Sequence, residues 1–312
     1  MVKILDRLEG MKTLKKIQNT YFREDKKKKF YIIRRETPHV GIFSCILTFL
    51  SHLKYADEKG YIPLIDMKYF DNAYLYKNQI GKLNAWDYYF LQPGNHEYTL
   101  EYVYRSKNVF LSTGDFKSNY KPSKEFLENM EAMDSGQWRY LWEKYIIPNE
   151  KTSCHIEKVY NNMFSNTDRV MGVLLRGSDY YHYYPKYQGE INEDKIDSVI
   201  KIVSNSLEKN NCSKLFLMTE DINILMKFQS KFGKMLFYLE DERVPSNCTK
   251  PLGDIWREKG IDLYQKGLNY ITAFYVITKC CCFIGTKTSA SVFFPIVGYK
   301  EWQYYFNLKD IE

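Results

Sequence analysis

No apolar stretch in this 312-residue chain is long enough to span a bilayer, and its opening, MVKILDRLEGMKTLKKIQ, lacks a signal peptide's apolar core and cleavage site. These absences predict a cytoplasmic protein. The chain also lacks internal repeats, low-complexity tracts beyond one lysine run, and any DNA- or RNA-binding motif, and a net charge of +7 by itself specifies no nucleic acid. Histidine is scarce, with five residues, and none lies near the contiguous Cys280-Cys281-Cys282. Consecutive residues of a strand point to opposite faces, so the triplet is not expected to converge on one zinc. The seven cysteines are expected to be reduced, mostly buried packing residues, as suits a reducing compartment.

What is present describes a globular protein: 45% hydrophobic and 27% charged residues, and a mean hydropathy of −0.47. Its length suits two ordinary domains or one large one. The run Lys26-Lys27-Lys28-Lys29 reads as a solvated loop, with an anionic membrane surface or a polyphosphate as alternative partners.

In the N-terminal half, Phe30-Tyr31-Ile32-Ile33 predicts a strand, Gly41-Ile42-Phe43 opens an apolar helix that Gly60 ends, and Tyr61 to Asp66 predicts a second strand with Pro63 near its start. Residues 68 to 150, rich in aromatics, predict helices and long loops. The C-terminal half alternates more regularly. Strands are predicted at Arg169 to Leu175, Leu215 to Met218, Met235 to Leu239 and Cys281 to Ile284, separated by helices over Ile196 to Leu207, Ile222 to Phe232 and Leu268 to Lys279. This alternation implies a parallel sheet covered by helices on both faces. The fold expected is α/β and GT-B-like, two Rossmann-like domains, residues 1–150 and 151–312, facing across a cleft.

Three predicted strand ends carry polar clusters: Arg176-Gly177-Ser178-Asp179, Thr219-Glu220-Asp221, and Thr286-Lys287-Thr288-Ser289. Carboxyl ends of successive parallel strands converge on one crevice, and an arginine there suits a diphosphate, because its planar fork stays charged and bonds two oxygens at once. Arg176 reads equally as a partner that orders the loop through Asp179. Thr286 to Ser289 precede an apolar segment, so their hydroxyls, lysine and amides suit an anion at a helix N-terminus, or plain N-capping.

The three segments GVLLRGSDY, LFLMTED and CCFIGTKTSAS resemble, in order and spacing, the H-x-R-x-x-D, T-D-D and D-x-x-x-x-T-x-S-S elements of the GT-B fucosyltransferases. That superfamily includes α-1,6-fucosyltransferases and protein O-fucosyltransferases. GIFSCILTFLSHLKYADEKGYIPLIDM and NAWDYYFLQP are similar to the N-terminal signature of its bacterial polysaccharide branch. The resemblance implies GDP-fucose as donor and an inverting transfer without a metal or other cofactor. It also implies a glycan or lipid-linked oligosaccharide acceptor in surface polysaccharide biosynthesis, with peripheral contact at the inner face of the cell membrane. By position, Arg176 with Gly177 and Ser178 would hold the β-phosphate, and Thr286, Lys287, Thr288 and Ser289 would line the phosphate and fucose end. Thr219 and Asp221, or Asn269, would meet the guanine or ribose. The family histidine falls at Leu174, its second arginine at Gly177 and its guanine-reading aspartate near Ala273.

Inverting transfer also needs a base for the acceptor hydroxyl, and Asp179, His182 and Glu190 are the candidates. Tyr180, Tyr181, Tyr183 and Tyr184, or Trp86, Tyr88 and Tyr89, offer rings on which a sugar could pack, or simply pack among themselves. Two other readings stay open. One is a GT-A transferase with a divalent metal on Glu220-Asp221 or Glu240-Asp241-Glu242, against which the lack of a D-x-D speaks; the other is a catalytically idle binder of a nucleotide sugar or glycan.

Overall fold

The computed structural model describes residues 28–94, 98–112, 135–178 and 193–311, and the chain divides into two compact units, Met1–Lys151 and Thr152–Glu312. Each unit is built on its own parallel sheet.

In the first unit β1 (Phe30–Ile33) lies between β2 (Ile62–Ile65) and β3 (Val109–Leu111). The helix α1 (Ile42–Lys59) starts where the Ile42 N–H donates to the Tyr74 hydroxyl, and it ends at Gly60, whose φ of 62° suits a residue without a Cβ. Side chains alternate along β1. Tyr31 faces α1, packing on His52 and Tyr55, while Phe30 and Ile32 face Leu64 and the short helix α2 (Leu100–Tyr104). Pro63 sits on β2, an edge strand, where a missing N–H leaves no central ladder broken. β3 is a strand that the aromatic-rich stretch did not announce.

Of the two readings left open for Trp86 and Tyr89, sugar platform or packing, burial favours packing: both are fully buried. Trp86 stacks on Phe90 at 4.5 Å, meets Phe49 edge-on and donates its Nε1 proton to the Leu91 carbonyl, so burying large rings outweighs displaying them. Tyr88 is half-buried. The helices α3 (Ser135–Tyr145) and α4 (Glu150–Met163) follow.

The second unit has five parallel strands in the order β6-β5-β4-β7-β8. They are β4 (Val170–Leu174), β5 (Lys214–Met218), β6 (Leu236–Phe237), β7 (Cys282–Thr286) and β8 (Trp302–Phe306). The helices α5 (Glu193–Lys209) and α6 (Ile222–Phe232) cover one face, where Val199, Val203, Ile224 and Phe228 join Met171, Val173, Leu215 and Leu217 in one core. After α7 (Leu252–Glu258), α8 (Leu263–Lys279) covers the other, with Ile277 lying so close to Gly172 that a Cβ there would stand 2.8 Å from its Cγ2. The short helix α9 (Phe294–Gly298) leads to β8.

Two expectations change. The strand expected at Met235 to Leu239 is only Leu236–Phe237, because Gly233–Met235 form a 3₁₀ turn, and α8 begins at Leu263, where the Asp262 carboxylate accepts from the Tyr264 and Gln265 amides. The cysteine argument also needs correction. Cys280 stays apart at the end of α8, but Cys281 precedes β7 rather than lying in it, so strand alternation does not separate it from Cys282. Their sulfurs lie 3.7 Å apart, and that of Cys212 lies 3.4 Å from Cys281. All seven cysteines are free thiols. No helix among the described residues is long and apolar enough to cross a membrane.

Candidate functional site

From β4 the chain steps to β5 and β6 on one side, then crosses back to β7 and β8 on the other. The carboxyl ends of β4 and β7 therefore flank the switch point at which open α/β sheets form a ligand crevice. Arg176 to Ser178 leave β4 there, and Thr286 to Ser289 finish β7.

Hydrogen bonds across three strands build this junction. The Arg176 N–H donates to Thr286 Oγ1 at 3.2 Å, and that hydroxyl donates to the Leu174 carbonyl at 3.4 Å. The Arg176 guanidinium pairs with Glu220 at 3.2 Å; the two side chains are 16% and 11% exposed, so the pair is shielded yet reachable. Glu220 also accepts from the Gly177 N–H at 2.9 Å and the Ser178 hydroxyl at 2.8 Å. Sequence reasoning placed Glu220 in the polar cluster Thr219-Glu220-Asp221 and in the metal reading, but gave it no role toward Arg176.

Asp221 is fully buried and caps α6: one carboxylate oxygen accepts from the Asn223 and Ile224 amides and from Ser246 Oγ, the other from the Ser178 N–H. Its oxygens are committed to three backbone amides and the Ser246 hydroxyl, which argues against Glu220-Asp221 as a metal pair and leaves Asp221 a positioning role. Thr219 supports the same turn by accepting from the Asp221 N–H. Ser178 holds a positive φ of 47°, a conformation costly for a residue with a Cβ. Gly177 is required by proximity: a Cβ there would stand 2.4 Å from Asp221 Oδ2.

At the β7 end, the expectation of amides gathered at a helix N-terminus is corrected. The following segment is a 3₁₀ turn, Ser291–Phe293, running into the five-residue α9. The Thr288 N–H donates to Ser291 Oγ at 2.7 Å and the Ser291 N–H to Thr288 Oγ1 at 3.1 Å, a reciprocal local cap. Ser291 Oγ also approaches the Tyr305 hydroxyl at 3.5 Å, and burial raises the pKa of that phenol. The Lys287 ammonium lies 5.4 Å from the Tyr305 ring, and Ser289 is half-buried in the turn between.

Asn269 lies on α8, where it accepts from Gln265 and its amide donates to the Glu240 carbonyl at 3.5 Å. That contact brings α8 to the loop that follows β6. In this loop Asp241 pairs with the buried Lys266 at 2.9 Å, and Lys259 pairs with Glu242. Two of the three carboxylates of this acidic run are thus matched by lysines, which argues against a metal there. Lys266 also lies 4.8 Å from the Trp256 ring, and its burial lowers its pKa despite Asp241.

The first sheet has a polar cluster of its own that sequence reasoning missed. Arg34, just past β1, donates its Nε proton to Asp66, just past β2, at 2.7 Å, and its N–H to Ser112 beyond β3 at 2.8 Å; the Tyr104 hydroxyl also donates to Asp66. Burial acts against the Arg34 charge, but Asp66, Tyr104 and Glu36 outweigh it and raise its pKa. Arg35 bonds Ser44 and Thr48 of α1. An R-R pair closing a predicted strand was the available signal. Asp179, His182 and Glu190, and with them Tyr180, Tyr181, Tyr183 and Tyr184, lie outside the described residues.

No protein-family model and no curated protein matches this sequence. Solved structures do. NodZ α-1,6-fucosyltransferase soaked with GDP-fucose is similar at a TM-score of 0.51 and 14% identity, over 86% of this chain and 93% of that one. FUT1 of Arabidopsis thaliana, in complex with GDP, is similar at a TM-score of 0.53 and 9% identity, over 95% and 74%. POFUT1 in an apo form is similar at a TM-score of 0.51 and 10% identity, over 91% and 99%. The chain has a GT-B-like α/β fold. At these identities it is the fold that is shared, and the GT-B-like chain's activity must be argued from its own site.

Proposed function

We propose that this chain is a glycosyltransferase that moves fucose from GDP-fucose to a glycan or glycolipid acceptor, with inversion and without a metal at the donor site. The observation that carries the reading is Arg176 at the β4/β7 switch point, held by Glu220 and Thr286, in a GT-B-like fold shared with NodZ soaked with GDP-fucose. In the reaction the bond from the sugar C1 to the β-phosphate oxygen breaks, the diphosphate leaves with its electron pair, and the acceptor oxygen bonds C1 from the opposite face. Negative charge grows on the diphosphate, so a fixed guanidinium aimed at it lowers the barrier. Arg176 supplies that charge, and Lys287 and Ser289 supply donors around it. A base among Asp179, His182 and Glu190 takes the acceptor proton. Residues 1–150 serve the acceptor and 151–312 the donor, and the enzyme works in the cytoplasm, at the inner membrane face for surface-polysaccharide synthesis.

One observation favours a second reading, an idle nucleotide-sugar or glycan binder: Glu220 already answers Arg176, and Thr286, Thr288 and Asp221 all have structural bonds. Calorimetric titration with GDP, UDP, ADP and CDP in the presence of EDTA, followed by a GDP-fucose hydrolysis assay, separates the cases. Selective GDP binding with slow hydrolysis supports the transferase; binding without hydrolysis or transfer supports the binder. Selective UDP binding overturns the fucose donor.

A further inference from the structure

The strand ends described above are carboxyl ends; the amino ends of the same sheet carry a separate cluster. Cys212 lies in the turn that joins α5 to β5, and Cys282 is the first residue of β7. These strands are not neighbours, since β4 separates them. The residues entering β4 hold both: the Ser213 N–H donates to the Arg169 carbonyl and the Cys281 N–H to the Val170 carbonyl, each at 2.9 Å. The Cys212 sulfur consequently lies 3.4 Å from that of Cys281 and 3.8 Å from that of Cys282, and the latter two lie 3.7 Å apart. Among the described residues this is the one group of metal-ligating side chains whose donor atoms converge.

We propose that Cys212, Cys281 and Cys282 form a binding site for one thiophilic metal ion, Zn(II), held by three thiolates with a fourth position open to water or an external thiol. Separations of 3.4 to 3.8 Å put the three sulfurs on a circle of about 2.1 Å radius, so an ion bonded at about 2.3 Å stands roughly 1 Å out of their plane. That is the pyramidal geometry of three corners of a tetrahedron. Soft thiolates select this class of ion over magnesium or calcium. Cys212 and Cys282 are buried and Cys281 is half-buried, which shields the ion on the core side and leaves an approach on the other. Three thiolates on a dication leave one net negative charge, and the Arg169 guanidinium, anchored to the Asn210 carbonyl by two hydrogen bonds, acts on both Cys212 and Cys281 to offset it. Binding forms three sulfur–metal bonds, and the thiol protons pass to solvent. The ion would clip β5 to β7 beneath β4, at the end of the sheet away from the donor crevice; it rests on no part of the transferase reading.

The test uses the full chain, reduced, stripped of metal and then dialysed against Zn(II). One Zn(II) per chain is expected to survive gel filtration, and Co(II) in its place is expected to show a thiolate-to-cobalt charge-transfer band. Cys281→Ser, the least buried position of the three, is expected to weaken Zn(II) binding by more than about a hundredfold with its circular dichroism unchanged. Cys154→Ser, an exposed cysteine on α4, is expected to bind as the parent does. Where Cys281→Ser does not fold, alkylation of the parent decides: Zn(II) is expected to protect Cys212, Cys281 and Cys282 and leave Cys154 reactive. No retained zinc in the parent, full retention in folded Cys281→Ser, equal loss in Cys154→Ser, or no protection of the three thiols overturns the site.

Discussion

Arg176→Ala tests the proposed donor site most directly, and the structure separates its two effects. The side chain pairs with Glu220 at 3.2 Å in a shielded position, so truncation removes a charge-assisted partner from a carboxylate only 11% exposed. Glu220 keeps the Gly177 N–H and the Ser178 hydroxyl, so the loss of stability is expected to be about 1–3 kcal/mol, short of the penalty for a wholly stranded buried charge. Binding is affected separately. Loss of one charge-assisted hydrogen bond to the diphosphate, worth about 1.5–3 kcal/mol, weakens GDP roughly 10- to 150-fold. The double variant Arg176→Ala/Glu220→Gln distinguishes the two, since it neutralises the carboxylate left behind. Thermal melting is expected to recover most of the lost stability in the double variant, while calorimetry with GDP is expected to show no recovery of affinity. GDP affinity within about twofold of the parent in Arg176→Ala, or affinity restored in the double variant, would refute the assignment of Arg176 to the diphosphate.

Three further outcomes follow from the packing and electrostatics. Gly177→Ala places a Cβ 2.4 Å from the buried, capping Asp221, so the β4 and β5 loops must part; GDP affinity and the melting temperature are expected to fall together, and an unchanged melting temperature would count against this geometry. Gly172→Ala meets Ile277 at 2.8 Å on the face covered by α8, and overpacking is expected to cost about 1–3 kcal/mol by denaturant melting while GDP affinity of the folded fraction is retained. His52 is buried against Tyr31, whose hydroxyl lies 2.8 Å from its Nδ1, and burial pushes its pKa down to about 4. The unfolded chain then binds a proton below about pH 6.5 that the native chain refuses until about pH 4, so roughly 3 kcal/mol of stability is lost across that window as pH falls. His52→Leu is expected to flatten the fall in melting temperature over that range; an identical slope would remove His52 as its cause.

How much of this was legible in the sequence depends on whether a feature is carried by one segment or by the meeting of two. β1, α1, β4 and α5 were readable because each buries a face that leaves its own period in the residues. β3 and β8 were not, since Val109–Leu111 is three residues long and WQYYF is an edge strand that exposes the consecutive Gln303 and Tyr304, so it shows no alternating pattern, and its aromatic composition resembles the surrounding loops. Arg176, Thr286 and Asp221 could be singled out because a polar residue ending an apolar run marks a strand's exit. The partnership of Arg176 with Glu220 could not. It arises because β4 pairs with β5 in the register that sets Leu174 opposite Met218, so that residues two positions beyond each strand meet side by side. Register is a property of two segments, and nothing in either names the other. The same reasoning explains the thiol cluster: strand alternation, applied to Cys280 to Cys282 alone, separated residues that the start of β7 and the turn before β5 bring together. Periodicity reports which face of a segment is buried, but both the proposed donor crevice and the thiol cluster are made of contacts between segments, and those depend on strand order.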